Sequence, residues 1–321
     1  MTSTPPVRCL VTGGCGFIGS HLVSLLAEQG HEVLVYDRTP PPADLQTLPN
    51  VRFRQGELIP LLQRPDSLRG IQVVFHLAWA HEPESATRHP VGDIEANLVM
   101  TVRLLQACVE QGVRRIVFSS TGGAIYGPVR SLPVSEDHPT RPISAYGVTK
   151  LAAEKYIQLY HHLHGLEHII LRPSVCYGPR QNPFGRQGAV AVFIGRILSG
   201  HPIVIFGDGD TIVRDFFHVR DLAHAFLAAM HASADRAIIN VGGGVGITLN
   251  QILHHLSQVA DSRYPISVQS APPRPFDVPR LVLDISRARR LLGWQPRITL
   301  EEGLAQTWAW YEKTWPDHAA H

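Results

Sequence analysis

The stretch Thr12-Gly13-Gly14-Cys15-Gly16-Phe17-Ile18-Gly19 constrains this chain more than any other. It follows a short apolar run, Val7–Thr12, and opens an amphipathic pattern from Phe17 to Gln29. A second β-branched run, His31–Tyr36, then stops at Asp37. Strand, glycine turn, helix and strand make a βαβ unit. Glycine at 13 suits the tight bend, glycine at 16 admits backbone N–H groups to a pyrophosphate, and glycine at 19 lets helix and strand pack closely. A glycine triplet alone also serves plain turns; the flanking strand, the helix and Asp37 make this one a dinucleotide site. An acid at the end of the second strand accepts hydrogen bonds from both ribose hydroxyls and repels a 2′-phosphate, which predicts NAD rather than NADP. Arg38, next door, is the feature that would tolerate the phosphate.

The alternation continues. Val51–Gln55, Val73–Leu77, Arg115–Ser119 and His168–Leu171 read as strands, with helical stretches at Gly92–Gln111 and Ala145–His164 between them. Short buried strands alternating with helices predict an α/β fold, a Rossmann-type doubly wound parallel sheet covered on both faces. The rhythm changes after Arg172. Arg180–Gly188 is loop-like, Ala189–Leu198 returns to helix, and shorter pieces follow: Ile203–Phe206, Ala237–Val241, a helix from Leu249 and another at Ser286–Leu292. Ser270–Pro279 is a proline-rich loop that could lie across a ligand. The expected division is a dinucleotide-binding domain over residues 1–172, with later segments returning to it, and a smaller mixed α/β lobe over 173–321.

Composition narrows the partners. The 321 residues are 44% hydrophobic and 17% charged, with a formal net charge of +2, a globular balance without the basic field of a nucleic-acid binder. No apolar run of about 18 residues is present to span a membrane. The polar, proline-rich start, Met1 to Val7, reads as no secretion signal. Cys9, Cys15, Cys108 and Cys176 lack C-x-x-C spacing, so no zinc site or disulfide framework is expected and a reducing cytoplasm suits them. His161, His162 and His164 read as a polar helix face before a metal site.

Tyr146-Gly147-Val148-Thr149-Lys150 places a phenol and an ammonium at i and i+4, on one face of a helix. At neutral pH only about one free tyrosine in a thousand is ionised. A fixed ammonium about one turn away, together with a cationic nicotinamide, favours the phenolate and makes a general base of it. The spacing is common by chance. Ser119-Ser120-Thr121 distinguishes this instance, because it puts hydroxyls at the carboxyl edge of the sheet, where doubly wound folds hold ligands.

With these residues in place, the chain resembles the extended short-chain dehydrogenase/reductase family, in particular its NAD-dependent nucleotide-sugar 4-epimerases of the UDP-glucose 4-epimerase type. The resemblance runs from Val7 to about Trp310 and rests on TGGCGFIG, HLAW at His76, Asn97, SSTGGAIYG from Ser119, YGVTK, YGPRQNPFG from Tyr177, FGDGD from Phe206 and RDFFHVRDLA from Arg214. It implies that Tyr146 is the base, that Lys150 binds the nicotinamide ribose, and that Thr121 shares the substrate hydroxyl's proton. Gly13, Gly16, Phe17, Ile18, Gly19, Asp37 and Arg38 would surround the adenosine and pyrophosphate, with Glu57 and Leu58 bordering the adenine. Leu77, Ala78 and Trp79 would follow on the next strand's loop, and Ser119, Ser120 and Pro173 would line the nicotinamide side. Asn97 would serve the cofactor, or else pack inside its helix.

For a nucleotide-diphosphate sugar, a UDP-hexose first, the resemblance implies Arg214 and Arg274 on the diphosphate, Asp277 on the ribose and Phe206 near the base. Arginine suits that task because its planar fork donates paired hydrogen bonds and keeps its charge. Two departures stand out. Val175 takes the place of an asparagine that contacts the diphosphate-sugar, and Trp79-Ala80-His81 replaces small residues, which would bring bulk near the pyrophosphate or sugar. Leu281 falls where relatives control room for an N-acetyl group. The residues after Thr121 are Gly122, Gly123 and Ala124, without the carboxylate that an elimination requires, so epimerisation is favoured, with reduction of a nucleotide-linked 4-keto-6-deoxysugar as the alternative. A homodimer through Gly92–Gln111 and Ala145–His164 would follow the family.

Overall fold

A computed structural model describes residues 5–64, 66–185, 187–260, 263–273 and 278–319. Eleven strands matter for the site: β1 (Arg8–Thr12), β2 (Glu32–Asp37), β3 (Val51–Gln55), β4 (Val73–His76), β5 (Arg115–Ser119), β6 (Glu167–Pro173), β7 (Val175–Tyr177), β8 (Ile203–Phe206), β9 (Val213–Arg214), β10 (Phe216–His218) and β11 (Arg236–Val241). Seven form one sheet in the order β11-β6-β5-β4-β1-β2-β3, with every pairing parallel. The order reverses between β1 and β4, so the carboxyl ends of those strands open onto a crevice. Apolar side chains fill both faces. Leu22, Val35, Phe75, Val117 and Phe226 belong to one layer, and Leu10, Val74, Leu104, Phe118 and Ile157 to the other.

Residues beyond 173 go to two places. β11 pairs with β6, the Val219–His231 helix packs on the Phe17–Glu28 helix and the Ser286–Leu292 helix packs on β11, all as parts of the large sheet's layers. The remainder forms a lobe of two-stranded pairings, β7 with β10 and β8 with Val268–Ala271, around a core that includes Ile194, Ile205, Leu256 and Trp308.

One expected element differs in kind. The continuous helix over Gly92–Gln111 is instead a turn of α-helix at Pro90–Asp93, a π-helical stretch at Ile94–Val99 and an α-helix at Met100–Glu110. The physical reason is Asn97. Its side chain is fully buried, accepts from the Ala80 N–H at 2.7 Å and donates to Asp93 Oδ1 at 2.7 Å. Wider π winding is a common way to insert such a residue into a helix near a functional site.

Candidate active site

A cleft of about 960 Å³ lies at the carboxyl edge of the sheet, between it and the lobe. Phe17, Ile18 and Leu77 wall it on the side of the glycine turn, Ser119, Ser120 and Thr121 on the side of β5, and Val175, Phe206 and Arg214 on the lobe. Tyr146, Lys150, Trp79 and Pro173 line it as well. Residues drawn from across the sequence thus share one cavity.

The glycine turn lies at the cleft's edge. Gly13 has φ +73°, and a Cβ there would come within 2.7 Å of the Ala78 backbone, so β1 and the loop after β4 pack through it. A Cβ on Gly19 would strike the Gly13 carbonyl. Gly16 differs, because its Cβ would meet only the Gly13 carbonyl, at 3.4 Å, leaving open space over that part of the turn. This open backbone at a helix N-terminus fits a pyrophosphate. Asp37 stands beside it and accepts from the Cys15 N–H at 2.8 Å and from Thr39. Arg38 and Glu57 are both exposed and pair at 3.8 Å, next to buried Leu58. Gly13, Gly16, Gly19, Asp37, Arg38, Glu57, Leu58 and Ala78 lie outside the cavity's walls. Asn97 lies beneath the Ala80 backbone rather than in the cleft, and fixes the loop that carries Trp79.

The Ala145–His164 helix delivers the two titratable groups. Ser144 caps its first turn, its hydroxyl accepting from the Gly147 N–H at 3.2 Å, and the i, i+4 spacing puts half-buried Tyr146 and buried Lys150 on the same face, toward the cleft. Burial pushes the Tyr146 phenol above its ordinary value, Cys176 and Asp93 push it the same way, and a hydrogen bond with Thr121 opposes them. Burial lowers Lys150 to about 7, against the pull of Glu154 and Asp93. Its ammonium donates to the Ser119 carbonyl at 2.7 Å and sits 3.7 Å from the centre of the Trp79 ring. Trp79 lines the cleft, but its bulk covers Lys150.

No local spacing signals the polar network behind these groups. Glu154, one turn after Lys150, accepts from Ser120 Oγ and from Arg172, whose Nη2 approaches Oε2 at 2.6 Å. Arg172 also donates to the Tyr126 hydroxyl at 3.0 Å, which donates to Asn240 at 2.6 Å. The chain runs from β5 through β6 to β11 and holds the helix against the sheet. Its members are far apart in sequence; Ser120 and Tyr126 lie in the SSTGGAIYG stretch, and nothing there links them to Glu154, Arg172 or Asn240.

On the lobe, Arg214 donates to the Val213 and Pro279 carbonyls at 3.1 and 2.8 Å. Arg196, a cation without any motif, also lines the cleft and donates to the Pro202 carbonyl at 2.9 Å. Val175 faces the cavity and brings no side-chain donor. Leu281 lines it too, within an apolar cluster with Ile125 and Leu283. Arg274 and Asp277 lie outside the described residues.

Residues 9–242 match the NAD dependent epimerase/dehydratase family. The chain belongs to that family. It is 36% identical to a putative UDP-glucose 4-epimerase of Methanocaldococcus jannaschii, over 94% of this chain and 97% of the relative. Among solved structures it is similar to the UDP-glucose 4-epimerase of Thermotoga maritima with UDP-glucose, with a TM-score of 0.90, 38% identity and coverage of 96% and 100% of the two chains. The Thermus thermophilus UDP-glucose 4-epimerase complex with NAD gives 0.86, 36% identity, and 95% and 99% coverage. Both similarities span the sheet and the lobe together.

Proposed function

We propose that this chain interconverts C4 epimers of a nucleotide-diphosphate sugar, a UDP-hexose, through a 4-keto sugar, with NAD as its cofactor. The observation that carries the reading is one cleft with Thr121, Tyr146 and Lys150 at the sheet and Arg214 with Phe206 at the lobe. Family membership and the relatives' activities support it. NAD, when bound, supplies a hydride acceptor and donor and a positive charge near the phenol. Gly16 with Gly13 and Gly19 would hold its pyrophosphate, Phe17 and Ile18 the start of the helix beneath it, and Asp37 its ribose. Arg38, Glu57 and Leu58 would border the adenine, and Leu77, Ala78, Ser119, Ser120 and Pro173 the remaining length. Asn97 serves by positioning.

Tyr146 takes the proton from the sugar's 4-hydroxyl at its phenol oxygen, and Thr121, hydrogen-bonded to it, shares that proton. Tyr146 would return the proton to that same sugar oxygen as the 4-keto sugar is reduced on its other face. Lys150 would anchor the nicotinamide ribose. Gly122, Gly123 and Ala124 supply no acid for an elimination. Arg214 and Arg274 would grip the diphosphate and Asp277 the nucleotide's ribose, with Phe206 against the base and Val175 beside the sugar.

Two further readings belong here. The exposed apolar residues Val148 and Leu163 (54% and 58% exposed), with Ile94 and Val99 on the neighbouring segment, support a homodimer through these helices. Four unpaired thiols support a cytoplasmic setting.

The test is incubation with UDP-, dTDP- and GDP-hexoses, followed by NMR, with NAD at catalytic concentration. Equilibration of a 4-epimeric pair without net change at the nicotinamide absorbance band supports the reading. Steady consumption of reduced nicotinamide with a 4-keto sugar, and no epimerisation of any hexose, would establish the reductase instead.

A further inference from the structure

Lys150 is 3% exposed, so its ammonium has lost nearly all its water. One proton goes to the Ser119 carbonyl at 2.7 Å. The charged and titratable groups around it come from several elements: Glu154 on its own helix, Asp93 from the Pro90–Asp93 helix, His76 from β4 and Tyr146. Glu154 is already held by Ser120 and Arg172, and Asp93 by Asn97, with His81 3.4 Å away. Burial holds His76 neutral, lowered to about 3.

Rings cover the ammonium. Its nitrogen is 3.7 Å from the Trp79 ring centre, 4.8 Å from that of Phe118 and 5.8 Å from that of Tyr146. Trp79 is not placed there by a hydrogen bond, since its indole N–H is buried without a hydrogen-bond partner among the described residues. Packing places it. The ring meets Phe118 at 6.0 Å and Tyr146 edge-on at 6.2 Å, and the Asn97–Ala80 hydrogen bond fixes its loop.

We propose that Trp79 is a positioning residue for Lys150: its π face replaces the ammonium's lost hydration and keeps the side chain charged beside Tyr146. The attraction of a cation to an aromatic face grows when the pair is dry, and tryptophan offers the strongest face. An aliphatic side chain of similar bulk would exclude water equally well and leave the ammonium with the Ser119 carbonyl and the more distant rings of Phe118 and Tyr146 alone. Because burial puts Lys150 at about 7, a modest change in that compensation moves the group across neutrality.

The sequence has three lysines, Lys150, Lys155 and Lys313, so lysine labelled with ¹³C at the ε carbon gives a titration with three resolvable probes in the whole protein. The ε protons of Lys150 should lie upfield of the other two, from the ring current of Trp79, and should return to the ordinary position in Trp79→Leu. Biosynthetic replacement of tryptophan by mono- and then multiply fluorinated analogues drains the ring's electron density with little change of shape. Each step should lower the Lys150 titration midpoint, by about 0.3 to 1 pH unit over the series. A midpoint unmoved by fluorination, or ε protons without an upfield shift, would overturn the proposal. The effect on turnover rests in addition on the role proposed for Lys150. If the midpoint falls but the alkaline limb of kcat stays in place, Trp79 acts as proposed and the assignment of Lys150 in catalysis fails.

Discussion

The two ends of the cleft are built by different means. At the sheet end, Lys150 is buried and Tyr146 half-buried, and their neighbours are partnered across three strands by Ser120, Glu154, Arg172, Tyr126 and Asn240. At the lobe end, Phe206 and Arg214 sit on strands of four and two residues, and the guanidinium is steadied by backbone carbonyls. Burial at the sheet end moves both titratable groups toward neutrality, the phenol upward and the ammonium downward. The lobe end keeps its charge half in water. Chemistry is thus prepared by desolvation at one end, while recognition at the other is left to charge and surface.

The sharpest test of that contrast is Tyr146→Phe. It keeps the ring and removes the acid–base group, so turnover should fall by roughly 10²–10⁴ with NAD binding retained, read by steady-state kinetics and a cofactor titration. Near-normal activity would remove Tyr146 from the mechanism. Glu154→Gln attacks the support beneath it. Removing one partner of a buried pair should cost about 3–5 kcal/mol, read as a lower denaturant midpoint at neutral pH.

Arg214→Ala probes the other end. Losing a charge-assisted contact of about 1.5–3 kcal/mol should raise KM for the nucleotide-sugar about tenfold or more with kcat little changed. Were kcat to collapse instead, the two ends would not be separable in this way.

Lys150→Met gives a smaller effect with a definite sign. The ammonium's folded value of about 7 lies below its unfolded value near 10.4, so between these the unfolded chain binds more protons and the parent gains stability as pH rises. Methionine has no such term. Relative to Lys150→Met, the parent should gain about 2 kcal/mol between pH 7 and 9 in denaturant unfolding. A pH-independent difference would mean that the ammonium is not buried as described.

Local geometry was legible in the sequence. The βαβ turn with Gly13, Gly16 and Gly19, the Ala145–His164 helix and the i, i+4 pair on it follow from residue spacing, because a helix repeats every 3.6 residues and a tight turn demands glycine wherever backbones touch. Contacts between elements were not. Tyr126 and Asn240 are 114 residues apart, and Glu154 and Arg172 are 18 apart on a helix and a strand, so nothing in the spacing of either pair marks it. Asn97 widened its helix because a loop N–H and a carboxylate converge there in space. Trp79 read as bulk near the pyrophosphate or sugar; it lines the cleft, and that its ring lies over Lys150 was decided by packing on Phe118 and Tyr146. Spacing along one element determines which side chains share a face; the fit of elements against one another determines what each face meets.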